Sequence, residues 1–401
     1  MPSRPPQRTP ARPSRSHGRQ TPIVFLLLLA ALLATACGRD REPATVEAAA
    51  DTSPDTSADT SAAAEQQAEP EAPSSAGVRA DGTFRIVATT TQASDLSRIL
   101  AADVPNIEIT PLMGAGVDPH LYQPTESDIR AMNAADMVVY SGLHLEGQFD
   151  AVFKALREQG TLIYSLSKPV KDGGFVIGGF GADKTQAGTD DPHFWFDPRN
   201  WEVTVADLAQ TLAGLDPDNG DTYTAQADAY NEQLRLLFSW ADEGMRSVPE
   251  AQRYLVTSHD AFQYFGAAFG WQMAGIQGIS TEDETGVGDI QRTAQFVVEQ
   301  EIPVLFVESS ISPDTIEAVQ AAIEAKGGAA RVGVRDLYSD AMGMPGTFGG
   351  TYIGMIAENV LTILQSYRCA GAPALIPDWP DPIDTAPPQE LLTVSCDSGE
   401  Q

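Results

Sequence analysis

Five histidines occur in the 401 residues, and three of them stand in short strings whose composition suggests one shared chemistry. His120 closes Gly116-Val117-Asp118-Pro119-His120, His193 sits in Asp191-Pro192-His193-Phe194-Trp195-Phe196-Asp197-Pro198, and His259 lies in Thr257-Ser258-His259-Asp260. Asp-Pro-His therefore occurs twice. Imidazole is the commonest side-chain ligand of zinc and also suits iron, copper and nickel. Histidines this sparse, in matched contexts, point first to a single ion. A carboxylate to complete the set stands at Asp340, in Tyr338-Ser339-Asp340-Ala341-Met342. Three nitrogens and one oxygen make a closed four-coordinate site that keeps no position for a reacting water. Asp118 and Asp191 suit turn formation or support of the imidazoles from behind. Glu308 is either a neighbour of the site or a structural carboxylate, and His144 and His17 stand in no comparable setting.

Such ligands have to be delivered by loops that converge at one end of a sheet, and the sequence supplies the strands. Strand-like runs at 84–89, 107–112, 136–140 and 161–166 alternate with helical runs at 94–101 and 126–133. The rhythm restarts with strands at 253–258 and 304–308 and helices at 260–269 and 315–326. Repeated βαβ units imply mainly parallel sheets, whose ligands sit at strand carboxyl ends. His120 follows strand 107–112, His259 follows 253–258, and His193 precedes a helix beginning near Trp201. Between the halves, Tyr223, Ala227, Tyr230, Leu234, Leu237 and Trp240 recur at steps of three and four. They predict one amphipathic helix of about 28 residues, ~40 Å long. The expected fold is α/β, with lobes at 83–218 and 248–368 joined by a helix at 219–247.

Residues 1–36 read as an export leader. Five arginines from Arg4 to Arg19, and no acidic residue, precede the apolar run Ile23 to Ala36. As a helix that run would reach about 21 Å, short of a ~30 Å hydrocarbon core. Cys37 follows Ala34-Thr35-Ala36 directly. This resembles the lipobox of bacterial lipoproteins, in which that cysteine carries the lipid, although Ala34 replaces the usual leucine; an ordinary secretory signal ahead of an incidental cysteine is the other reading. The segment 37–82 is rich in Ala, Asp, Thr, Ser, Glu and Pro, with Val46 and Val78 its only large apolar residues. It cannot offset chain entropy and reads as a disordered tether with a mean reach of roughly 35–40 Å.

Without the leader, 20 basic residues face 55 acidic ones, which argues against nucleic acid as a partner. Beyond Cys37 only Cys369 and Cys396 remain, as expected outside the cytoplasm. A bridge between them would close a loop of about 27 residues and contribute roughly 3 kcal/mol; the alternative is two free thiols. Residues 173–188, with six glycines, predict a mobile loop. The Pro-rich segment 369–401 predicts an irregular strap.

Enzyme readings find little support. Ser258-His259-Asp260 spells a triad, but consecutive residues at a strand end point to opposite sides. Gly114-Ala115-Gly116 starts like a dinucleotide fingerprint and lacks its third glycine, and no His-Glu-x-x-His helix occurs. The expectation is a carrier, not an enzyme.

Taken in order, these strings resemble those of the zinc/manganese solute-binding proteins of ABC transporters (cluster A-I). Gly278-Ile279-Ser280-Thr281-Glu282-Asp283-Glu284, Phe306-Val307-Glu308-Ser309-Ser310 and Gly350-Thr351-Tyr352-Ile353-Gly354-Met355 extend the resemblance, which runs from about Phe84 to Arg368. It implies a metal buried between two lobes, with His120 and His193 from the first and His259 and Asp340 from the second. It also implies Zn2+ or Mn2+ as transported ligand, with Fe2+ also compatible, and an ABC permease with its cytoplasmic ATPase as partner. The protein would be a monomer, held by its lipid outside the cytoplasm, in the periplasm or on the outer cell surface. A surface adhesin on the same scaffold is the alternative reading, and a zinc hydrolase the third. Zinc-specific members often carry a His-rich acidic loop; here segment 171–190 is Gly-rich and has no histidine, which weakens the case for a zinc-collecting arm. Because neutral imidazoles are needed, affinity should fall below pH roughly 6.5.

Overall fold

The computed structural model describes residues 82–178, 190–282, 284–394 and 396. The expected leader, Cys37, His17, the tether as far as residue 81 and residues 179–189 of the glycine-rich segment lie outside them. The first sheet contains β1 (Phe84–Ala88), β2 (Ile107–Pro111), β3 (Met137–Tyr140) and β4 (Leu162–Ser165), in the order β2-β1-β3-β4 with every pair parallel. Side chains alternate across a strand, and each face has its own core. Phe84, Ile86, Ala88, Met137 and Val139 enter a large apolar cluster on one side. Val87, Val138 and Ile163 join Phe149, Phe153 and Leu156 on the other. Helix α1 (Thr91–Leu100) covers the first face, and α2 (Glu126–Asn133) and α3 (Asp150–Glu158) the second. Helix α1 starts three residues before its apolar periodicity does, because the Thr90 hydroxyl accepts the Ala93 N–H at 3.2 Å and caps it.

After β4 come the short α4 (Lys168–Asp172), then α5 (Pro198–Leu215) and α6 (Gly220–Ser247). The 28 residues of α6 give a length of about 42 Å at 1.5 Å per residue. Tyr223, Ala227, Tyr230, Leu234, Leu237 and Ala241 form its buried stripe. The second sheet pairs β5 (Tyr254–His259) with β6 (Gln272–Gln277), and β7 (Val304–Leu305) with β8 (Arg331–Val332), both parallel. A parallel bridge between Thr257 and Phe306 ties the two pairs, and another joins Glu308 to Leu337. Alternation decides the packing again. Leu255, Val304 and Phe306 face the large cluster, where α7 (Gln263–Phe269) also packs. Val256, Leu305 and Val307 meet α8 (Val287–Glu299) and α9 (Asp314–Ala325).

The inner faces of both sheets share that large cluster with α5, α6 and α10 (Tyr352–Cys369). One apolar core therefore runs from lobe to lobe behind the long helix, and wide separation of the lobes would expose it to water. Cys369 and Cys396 are joined by a disulfide, and the strap between them includes α11 (Gln389–Leu392). It lies along α6: Trp240 Nε1 donates to Pro377 O at 3.1 Å, and Gln233 Nε2 to Asp384 Oδ2 at 2.8 Å. The described start of the glycine-rich segment is hydrogen-bonded and not free, with Ile177 N–H donating to Tyr264 Oη at 3.0 Å. Among the described residues, no helix is long and apolar enough to cross a membrane.

Candidate metal centre

His259 is the last residue of β5, and its partner strand makes room for it. A Cβ on Gly275 of β6 would lie 2.5 Å from the Asp260 nitrogen, so only glycine lets β6 run that close behind the ligand. Glu308, just past β7, accepts the His259 backbone N–H on Oε1 at 2.8 Å and sits 2.6 Å from the ring Nδ1 through Oε2. His193 is not at a strand end. It follows an antiparallel bridge between Gly178 and Asp190, and a 3-10 turn at Phe194–Phe196 separates it from α5. Asp191 Oδ1 accepts the His193 backbone N–H at 2.9 Å and lies 2.8 Å from its Nδ1. Helix α5 begins at Pro198, where proline costs no hydrogen bond, with Asp197 Oδ1 accepting the Arg199 N–H at 2.9 Å.

His120 lies on the loop between β2 and α2, where Asp118 Oδ1 accepts its backbone N–H at 2.9 Å. Asp118 supports the turn and not the ring; Asp191 does both. Asp340 follows β8, on a segment bound on two sides. Asn359 of α10 accepts the Tyr338 N–H at 2.9 Å and donates to Tyr338 O at 2.7 Å. From the first lobe, Gln92 Nε2 donates to Asp340 O at 3.0 Å, and Thr91 Oγ1 accepts the Met342 N–H at 2.9 Å. Trp195 Nε1 reaches Ser339 O at 3.3 Å. The carboxylate thus comes from the second half of the chain, while its backbone is sewn to the first.

The four side chains converge. One ligand atom from each of His120, His193, His259 and Asp340 lies within 4.8 Å of all the others, and all four residues are buried. His193 Nε2 is 3.4 Å from both His120 Nε2 and His259 Nε2. Asp340 Oδ1 is 3.2 Å from His193 Nε2 and 3.4 Å from His259 Nε2. A tetrahedral site with bonds of ~2.0–2.1 Å has ligand–ligand edges of roughly 3.3–3.4 Å, so these separations match a first-row metal cage. Asp340 Oδ1 makes no hydrogen bond of acceptable geometry although it is buried, as suits an oxygen aimed at an ion. With Nδ1 of His193 and His259 donating to carboxylates, each Nε2 keeps its lone pair for the metal.

The electrostatics are those of a site built for a cation. Burial, the main cause, depresses His120 to about 3, so its ring is neutral at ordinary pH. Burial alone would depress His193 too, but Asp191 and Asp340 outweigh it and raise the group to about 9. For His259, burial is overridden by Glu308 first and then Asp340, and the group rises well above its ordinary value. Burial opposes ionisation of Asp340, yet His259, His193 and His120 hold it well below the usual carboxylate range.

Other candidates fall away. His259 Nδ1 is held by Glu308 Oε2 at 2.6 Å, and the Asp260 carboxylate instead accepts from Gln263 Nε2 at 2.7 Å, so Asp260 does not serve His259 as a triad would require. His144 is exposed, 3.6 Å from Asp150 Oδ2. Gln92, Thr91, Trp195 and Asn359, which place Asp340, carry no local signal: their partners are distant in sequence.

A two-lobed α/β fold with a buried three-imidazole, one-carboxylate cage defines a metal-binding protein of the solute-capturing class. Residues 86–366 match the family ZnuA, Zinc-uptake complex component A periplasmic. The manganese-binding lipoprotein MntA of Bacillus subtilis is 36% identical over 294 residues, covering 73% of this chain and 93% of that protein. The zinc-binding protein TroA of Treponema pallidum is 36% identical over 292 residues, covering 73% and 91%. The solved structure of TroA superposes with a TM-score of 0.65 at 35% identity, over 71% of this chain and 99% of that one. The metal ABC transporter substrate-binding lipoprotein FimA of Streptococcus parasanguinis is 30% identical over 297 residues, covering 73% and 91%. The chain belongs to the zinc-uptake complex component A family. That family is one of transport solute-binding proteins and not of enzymes.

Proposed function

We propose that the protein captures a divalent transition-metal ion outside the cytoplasm and delivers it to an ABC permease driven by a cytoplasmic ATPase. His120, His193, His259 and Asp340 are its ligands. The observation that carries this reading is the convergence of four buried donors, with four of their separations at the 3.2–3.4 Å of a tetrahedral edge and two of the donors backed by carboxylates. Zinc, manganese and ferrous iron all accept three nitrogens and an oxygen, and the relatives' own names divide among manganese, zinc and iron. The protein performs no chemistry on the ion. Its residues strip water from the metal, hold it, and give up protons as it enters.

In this reading the mature chain starts at a lipidated Cys37 after the leader 1–36, and the tether 37–82 lets a monomeric binding unit reach the permease. Lobes 83–218 and 248–368 meet at the ion, helix 219–247 limits how far they move, and the strap 369–401 braces that helix. The test is uptake of radiolabelled zinc and manganese, at limiting concentration, by cells lacking the gene. Wild-type protein should restore uptake and Asp340→Ala should not. Equal uptake with either, or no defect in the deletion, would contradict the proposal. Which metal starvation induces expression then identifies the cargo, since zinc binds such a site tightly in vitro whatever its natural ligand.

A further inference from the structure

Two of the three imidazoles are braced through their rings, and His120 is not. His193 and His259 have carboxylates on Nδ1, and the Asp340 backbone is bound by Gln92. Among the described residues, nothing hydrogen-bonds Nδ1 of His120; its place is set through its backbone N–H, which donates to Asp118 Oδ1 at 2.9 Å. The other oxygen of that carboxylate, Oδ2, accepts the Thr281 hydroxyl at 2.6 Å across a separation of 163 positions. Thr281 stands in the loop after β6, in the facing lobe. A single carboxylate therefore joins the backbone of a metal ligand to the opposite side of the cleft. The same loop approaches that lobe at Gly116, where the backbone has φ +72° and a Cβ would lie 3.5 Å from Ser309 O. Farther out, Gln148 Nε2 donates to Glu282 Oε1 at 2.7 Å, but between exposed side chains, where such contacts contribute little.

We propose that Asp118 and Thr281 form a latch that holds the His120 loop closed and sets how fast the ion leaves. The proposal rests on the ligand assignment above. Metal escape requires one donor to withdraw first, and the donor without a carboxylate behind its ring is the one whose loop must be tied down. Leaving an acceptor in the cleft without its donor costs more than the bond itself contributes, so removing the Thr281 hydroxyl should act visibly on release. Thr281 touches no metal. It is a positioning residue, half-buried in a loop, where Val replaces Thr without threatening the fold.

The experiment uses the mature chain loaded with zinc and follows its loss into excess chelator by stopped flow, beside the zinc content of each sample. Thr281→Val should still bind one ion per chain and release it roughly tenfold faster or more, and Thr281→Ser, which keeps the hydroxyl, should release at the wild-type rate. Release from Thr281→Val at the wild-type rate, or from Thr281→Ser as fast as from Thr281→Val, would overturn the latch. Asp340→Ala, run alongside, separates the two claims. If it binds zinc as tightly as wild type, the ligand assignment falls and the latch with it. If it loses zinc while Thr281→Val releases normally, only the latch falls.

Discussion

Glu308 grips His259 twice, through Oε2 at 2.6 Å from the ring Nδ1 and through Oε1 on the backbone N–H at 2.8 Å. The carboxylate therefore fixes ring orientation and tautomer together, and makes the imidazole a better donor. Glu308→Gln keeps the shape and removes the charge. It should weaken metal affinity by about 10–100-fold without changing stoichiometry, as measured by competition with a chelator of known affinity. Unchanged affinity would show that the carboxylate is only structural.

Protons compete with the ion at this site. In the metal-free cage Asp191 and Asp340 raise His193 to about 9 against the pull of burial, and Glu308 and Asp340 raise His259 well above its ordinary value. A ligand whose metal-free pKa is raised must lose its proton on binding, so the penalty is present below that pKa and vanishes above it. Affinity should therefore climb with pH through neutrality and up to about 9 for His193, a higher window than an unperturbed imidazole at ~6.5 would give. Titration calorimetry in buffers of different ionisation enthalpy should detect proton release at pH 7. A pH-independent affinity with no released proton would contradict these assignments.

The Cys369–Cys396 disulfide closes a separation of 27 residues, and Arg331 reinforces it by donating to Cys369 O at 2.8 Å and Cys396 O at 3.1 Å. It acts on the strap and not on the cage. Replacing both cysteines with serine should cost about 3 kcal/mol of folding stability while leaving metal affinity within twofold. Denaturant unfolding of the metal-free proteins checks the first expectation, and chelator competition the second.

Local strings carried most of what the sequence could tell. Asp-Pro-His makes its turn from its own residues, so both copies announced a ligand, and Asp191 bonds the histidine two positions on. The stripe of α6 has a period because one face is buried and the other wet. By contrast, α10 buries 15 of its 18 residues, so apolar side chains surround it and no period marks it. Strand β6, Gln-Met-Ala-Gly-Ile-Gln, has few β-branched residues and exists by pairing with β5. The distant supports of the site were harder to place: Glu308 stood equally well as a neighbour of the site or as a structural carboxylate, and Gln92 gave no sign. Glu308 is 49 positions from His259, and Gln92 is 248 from Asp340, distances over which residue type alone says nothing about contact.

The central claim is that one ion sits among His120, His193, His259 and Asp340. Anomalous diffraction from crystals of the zinc-loaded protein, recorded at the metal edge, tests it most directly. The account predicts one strong peak, about 2.0–2.2 Å from the Nε2 atoms of the three histidines and from an Asp340 carboxylate oxygen. A peak elsewhere, or one that any of these four residues fails to touch, would contradict it.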